Sequence, residues 1–236
     1  MSEPRHISLS ASIAHKPVGV QKRLSALRRH AELGGHRLLE IGCGTADYAA
    51  ALASSFDRVV GVDVQVSELP AALARGVPVA QMSAEGLAFP GGTFDAVIAI
   101  EVLEHVGDLR RVLLEVNRVL VEGGVFLFTS PNRYFPLETH SVRIGGRQVS
   151  GKYLPLLPYI PPLHRALAEA RNFTARDLRR RLAEAGLTEV AIDYVMPPFD
   201  RWAFGRRFVK PVTDAMEGSR LRVLGVSVVG VYRKRS

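Results

Sequence analysis

The sequence has one cysteine, Cys43, and only 7% of its 236 residues are aromatic. A single cysteine excludes an intramolecular disulfide, and a redox or zinc role for it has no partner thiol to rest on. No apolar stretch reaches the roughly 18 residues that a helical membrane span needs. No early segment joins a basic region to an apolar core and a small-residue cleavage site, so a cytoplasmic location is the expectation. Also missing is the third glycine of a dinucleotide-binding turn: after Gly42 and Gly44, Asp47 stands where it would be.

What the chain does contain is an uneven charge. Residues 1–37 carry a net +5, residues 38–132 −7, residues 133–164 +3 and residues 165–236 +7, within a total of +8. The basic flanks are either solvated faces of Arg-rich helices or surfaces that attract a polyanion such as RNA, anionic lipid or a phosphorylated substrate.

Short β-branched runs alternate with amphipathic stretches, starting with a helical stripe over 18–33. "RLLEI", "RVVGVDV", "VPVAQM", "FDAVIAIEV" and "VFLFTSP" read as strands. "ADYAAALASSF", "SELPAALARG" interrupted by Pro70, and "LRRVLLEVNRVLV" closed by Gly123-Gly124 read as helices. That alternation predicts a doubly wound α/β fold with a mostly parallel sheet covered on both faces. From Asn132 to Pro162 prolines and glycines break the pattern too often for a helix, yet "YLPLLPYIPPL" is too apolar for a linker. A lid-like insertion after the fifth strand is the reading. "TARDLRRRLAEAG" then predicts a helix with Thr174 as N-cap and Gly186 at its C-terminal end, followed by strands "LTEVAIDYVM" and "GVSVVGVYRKR". The division expected within this single domain is an N-terminal arm and helix over 1–36, a cofactor-binding half over 37–132 and an acceptor-side half over 133–236, with residues 1–17 polar and irregular.

A glycine turn between the first strand and first helix lets a ligand approach the backbone where amides point out of the sheet. Glu40 before the turn and Asp47 after it would repel a pyrophosphate but suit an ammonium or a sulfonium. NAD is therefore rejected in favour of a cationic nucleoside. Asp63, with Val64 beside it, ends the second strand where a carboxylate accepts from ribose hydroxyls. Ala84 and Glu85 reach the same edge and frame a purine, and the fourth strand delivers Glu101 and Val102.

The blocks "LLEIGCGTADY", "GVDV", "SAEGLAFPGGTFDAVIAIEVLEHV" and "LVEGGVFLFTSPN" resemble the class I S-adenosylmethionine-dependent methyltransferases in order and spacing. The resemblance implies a seven-stranded sheet with a reversed last strand, and S-adenosylmethionine as cofactor with S-adenosylhomocysteine as product. It places Gly42, Cys43 and Gly44 at the methionine part, Asp63 at the ribose, and Ala84 and Glu85 at the adenine. "IEVLEHV" looks most like the small-molecule O-methyltransferase branch that includes the ubiquinone-pathway enzymes.

Methyl transfer needs alignment and exclusion of water but no metal and no covalent nucleophile. A hydroxyl acceptor does benefit from a general base. Two histidines compete for that role: His105, four residues after Glu101, and His140 in the loop after the fifth strand, with Glu138 as its orienter. Small or lipid-linked hydroxyl acceptors are the first expectation, with "YLPLLPYIPPLH" either closing as a lid or touching an anionic membrane surface peripherally. RNA methylation is the alternative that takes the charge literally, helped by Trp202 and Phe204 among Arg201, Arg206 and Arg207. A cofactor-binding partner protein without turnover is the third reading.

Overall fold

A computed structural model describes residues 16–197, 207 and 209–235. Residues 1–15 of the expected arm, and Arg201, Trp202, Phe204 and Arg206 of the basic and aromatic stretch, lie outside the described residues.

The chain order is α1 (Pro17–Arg28), β1 (Gly35–Ile41), α2 (Asp47–Leu52), β2 (Phe56–Asp63), α3 (Leu69–Ala74), β3 (Val79–Gln81), β4 (Phe94–Ile100), α4 (Leu109–Val119) and β5 (Leu120–Pro131). A hairpin of β6 (Ser141–Ile144) and β7 (Arg147–Ser150) follows, then α5 (Pro161–Leu167), α6 (Ala175–Glu184), β8 (Leu187–Val195), α7 (Lys210–Glu217) and β9 (Ser227–Lys234). The seven-stranded sheet runs β3-β2-β1-β4-β5-β9-β8, parallel except that β9 is antiparallel to both its neighbours. The last strand is thus reversed, as the family resemblance implies.

Strand alternation sends successive side chains to opposite faces. Val97 and Ala99 of β4 and Phe126 and Phe128 of β5 join the core under α4 and α6, with Val112, Leu113, Leu178 and Leu182. Ala96, Ile98 and Leu127 join the opposite core under α1 and α2, with Leu24, Leu27, Tyr48 and Leu52. Gly230 leaves room for a ring: a Cβ there would lie 2.2 Å from Phe128 Cζ.

Four local expectations change. The stripe over 18–33 is helical only to Arg28, and the chain turns before Gly34. Pro70 does not interrupt α3 but sits in its first turn, where its missing N–H costs nothing. Gly123 and Gly124 do not close α4, which ends at Val119; they lie inside β5, where the register against β4 shifts. A Cβ on Gly124 would come within 2.9 Å of the Val121 carbonyl oxygen. The segment after Pro131 does contain a helix, because Pro161 and Pro162 occupy the first turn of α5 rather than its middle.

Candidate cofactor cleft and its histidine cluster

At the C-terminal edge of β1, Gly42 takes φ 64°, Gly44 φ 48° and Ala46 φ 57°. The turn is this tight because β4 ends beside it: a Cβ on Gly42 would lie 2.5 Å from Val102 Cγ2. Asp63 braces the turn, its Oδ2 accepting from the Gly44 amide at 2.8 Å and its Oδ1 from the Gln65 amide at 2.8 Å.

Beside the turn opens a cleft of about 660 Å³. Of the residues expected at a cofactor, Gly42, Gly44, Asp63, Val64, Ala84, Glu85, Glu101 and Val102 line it, and so does His105. Glu40, Cys43 and Asp47 do not. Glu40 lies behind the turn, its Oε2 accepting from the Ala49 amide at 2.7 Å in the first turn of α2. Burial pushes its pKa up to about 8, partly offset by that hydrogen bond. Cys43 points away from the cleft into the small-residue core, where Gly61 leaves it space: a Cβ at Gly61 would be 2.7 Å from Sγ. Burial, with Glu40 nearby, raises its thiol pKa to about 12. Asp47 accepts from Thr45 Oγ1 at 2.7 Å and pairs with Arg75 at 2.9 Å. The carboxylates that set the cleft's field are therefore others: Asp63, Glu68, Glu85, Glu101 and Glu169, with no Lys or Arg among the lining residues.

Two of these are held in place. Glu85 Oε1 accepts from the Asp108 amide at 3.0 Å, tying the purine-side edge to the start of α4. Glu101, at φ 55°, is 5% exposed; its Oε1 accepts from Thr129 Oγ1 at 2.9 Å and Ser227 Oγ at 2.7 Å, with Arg23 Nη2 at 3.4 Å. Its Oε2 is buried with no hydrogen-bond partner among the described residues.

The histidines are arranged in depth. His105 reaches the cleft with a side chain 34% exposed, whereas His140 is buried behind it, the rings edge to face at 5.2 Å. His140 is covered because the insertion folds over it: Gly151 donates its amide to the His140 carbonyl at 3.0 Å, and a Cβ on Gly151 would lie 2.4 Å from Glu138 Cγ. Glu138 Oε1 accepts from the His140 amide at 2.8 Å, and Glu138 Oε2 is 2.7 Å from His164 Nε2. Burial pushes the Glu138 carboxyl up, but the two imidazoles and that amide outweigh it and hold the pKa at about 2. Between His105 and His140 stands Glu104, whose Oε2 accepts from Ser130 Oγ at 3.2 Å. Burial and then the charge of Glu101 raise its pKa well above the usual carboxylate range. Glu104 and His164 went unnoticed in the sequence. The first is adjacent to His105 in "LEHV" and could have been found; the second, in "PPLH", gives no local signal.

The family model described as "Methyltransferase domain" matches residues 39–128. The chain is 30% identical over 177 residues, 72% of each chain, to a protein of Burkholderia pseudomallei named ubiquinone biosynthesis O-methyltransferase. The chain belongs to the class I S-adenosylmethionine-dependent methyltransferases. To a protein of the same name from Chromobacterium violaceum this methyltransferase is 35% identical over 118 residues, 47% of its own length, and the match spans about half (51%) of that relative. Its fold is similar to that of an S-adenosylmethionine-dependent methyltransferase from Mesorhizobium loti, with a TM-score of 0.64 at 18% identity over 90% of this chain and 98% of that one. The cleft of this methyltransferase fits the family's cofactor chemically, since carboxylates without opposing cations favour a ligand bearing an ammonium and a sulfonium.

Proposed function

We propose that the protein transfers the methyl group of S-adenosylmethionine to a hydroxyl of a small or lipid-linked acceptor. The observation that carries this reading is His105, an imidazole open to the cleft and backed by a buried carboxyl and a second imidazole. Such a group takes the proton of a hydroxyl whose own pKa is too high for it to ionise at neutral pH. The relatives named as ubiquinone biosynthesis O-methyltransferases support the same acceptor chemistry.

The cofactor supplies a methyl already activated by its positive sulfur. This chain's residues bind and align. Gly42 and Gly44 allow close backbone approach, Asp63 accepts from the ribose, and the partnerless Oε2 of Glu101 accepts from an ammonium. Ala84 and Glu85 form the adenine edge. Tyr153, Leu156, Tyr159, Ile160 and Leu163 of the insertion are exposed apolar groups, and Lys152 lies 4.8 Å from the Tyr153 ring centre. That set favours a hydrophobic acceptor collected at an anionic membrane surface.

Replacement of Asp63 by Ala is expected to weaken S-adenosylhomocysteine binding by about 1–3 kcal/mol, the size of a lost charge-assisted hydrogen bond, in titration calorimetry. Unchanged affinity would remove Asp63 from the site. Incubation of the protein with labelled S-adenosylmethionine and cell extract is expected to yield label that partitions into organic solvent. A nuclease-sensitive product would instead make RNA the acceptor, and no transfer to any fraction would favour a binding protein without turnover.

A further inference from the structure

Behind the cleft lies a second cavity of about 370 Å³ that the reading above leaves unused; His164, Arg165 and Arg171 reach it, as does Glu104. Five side chains alternate between the two openings. His105 Nε2 is 3.9 Å from Glu104 Oε1, and Glu104 Oε1 is 3.7 Å from His140 Nε2. His140 Nδ1 is 3.5 Å from Glu138 Oε1, and Glu138 Oε2 is 2.7 Å from His164 Nε2. Imidazole and carboxyl are the side chains that accept a proton on one atom while releasing one from another. We infer that His105, Glu104, His140, Glu138 and His164 form a proton relay that carries the acceptor's hydroxyl proton away from the cleft to water in the second cavity.

The inference rests on the hydroxyl-methylation reading and deepens it. As the acceptor oxygen bonds to the methyl carbon, the carbon–sulfur bond breaks and its electron pair stays on sulfur. The hydroxyl proton goes to His105. Glu104 takes a proton from His105 Nε2 as it gives its own to His140 Nε2, and Glu138 passes one from His140 Nδ1 to His164, which releases it. Atoms and charge balance with no further reactant.

The environment fits each station. Glu104 is kept protonated by burial and by Glu101, as a group that must give a proton before it receives one requires. Glu138, held ionised, stabilises positive charge on either flanking imidazole. The Glu104 side chain has none of its surface exposed, so the proton continues to His140 rather than leaving there. The other charged groups near the chain are Arg23 and Glu101 beside Glu104, and Arg165, Arg171 and Glu169 around the second cavity. Gaps of 3.5–3.9 Å exceed hydrogen-bond length, and they close by small side-chain rotations when an acceptor seats against His105.

The test uses Glu138→Gln and His164→Gln with 3,4-dihydroxybenzoate as a phenolic probe. Neither residue lines the cofactor cleft, so S-adenosylhomocysteine affinity should stay within about twofold of the unaltered protein. Turnover at pH 7 should fall about 10- to 100-fold, the lower part of the range for proton-transfer catalysis. The loss should shrink above pH 10, where the probe ionises unaided, and the solvent deuterium isotope effect on turnover should change. A loss of equal size at every pH would mean a structural role and would overturn the relay.

Histidine-selective NMR titration of the unaltered protein gives a readout that needs no turnover and no variant. His105, His140 and His164 should titrate as a coupled set, and independent titrations would overturn the relay. Should the probe not be methylated at all, the acceptor reading fails for that phenol while the titration still judges the relay. Turnover stimulated by zinc and abolished by EDTA would also overturn it. The donor atoms of Glu104, His105 and His140 lie within 4.8 Å of one another, and an ion would then hold the place assigned to protons.

Discussion

Glu40 and Asp47 illustrate at the residue scale why a carboxylate's position in sequence does not give its target. Both flank the glycine turn, and both were expected to face a cationic ligand. Backbone direction decides otherwise: the turn sends Glu40 under the first turn of α2, and Asp47 is neutralised by Arg75. The consequence for Glu40 is thermodynamic. Its folded-state pKa, about 8, lies above its unfolded value near 4.5. The folded state therefore binds the extra proton between those two pH values, and stability falls as pH rises through that window. Urea unfolding of the wild type at pH 5 and pH 8.5 should show this decline, with a Glu40 share on the order of 3 kcal/mol. Gln at this position cannot ionise, and its carbonyl still accepts from Ala49, so Glu40→Gln should flatten the decline whatever its effect on the baseline. A slope unchanged by the substitution would mean that Glu40 is ionised in the fold at neutral pH.

Elements whose signals are local were legible in the sequence. Thr174 is an example, because the capping box closes within four residues: its Oγ1 accepts from the Asp177 amide at 3.1 Å, and the Thr174 amide donates to Asp177 Oδ2 at 3.4 Å. Thr174→Ala should lower stability by about 1 kcal/mol in urea, and a value near zero would mean that Asp177 caps α6 alone. The strand and helix alternation was legible for the same reason, each period being readable within one element. Gly123 and Gly124 misled because a glycine pair marks a helix end as readily as a strand irregularity, and only the pairing with β4 distinguishes them. The insertion was legible in place but not in content. What holds it is a set of contacts between residues far apart in sequence, Glu138 with His164 and Asn132 Nδ2 with the Val223 and Gly225 carbonyls. The depth ordering of the histidines follows from those contacts, so His140 read as an open loop residue when it is enclosed.

Over the whole molecule a chain of net charge +8 presents a cleft with five carboxylates and no lysine or arginine in its wall. One arginine comes close from behind. Arg23 of α1 is 2% exposed and meets Glu101 at the end of β4, where β5 and β9 contribute the hydroxyls of Thr129 and Ser227. A single carboxylate thus ties the N-terminal helix to three neighbouring strands and keeps its other oxygen for the cleft. Arg23→Leu removes the countercharge but not the buried carboxylate, which costs about 3–5 kcal/mol when such a pair is broken from one side. Urea unfolding should show that loss, and calorimetry should show weaker S-adenosylhomocysteine binding as Glu101 takes up a proton and stops attracting an ammonium. Adding Glu101→Gln to Arg23→Leu removes the stranded charge, so the double variant should recover most of the stability while binding stays weak. That separation is the decisive result, because it divides the pair's part in holding the fold from its part in holding a ligand. Recovery of both together would mean that Glu101 acts only as a structural tie, and a loss for Arg23→Leu below about 0.5 kcal/mol would place the pair with ordinary surface contacts.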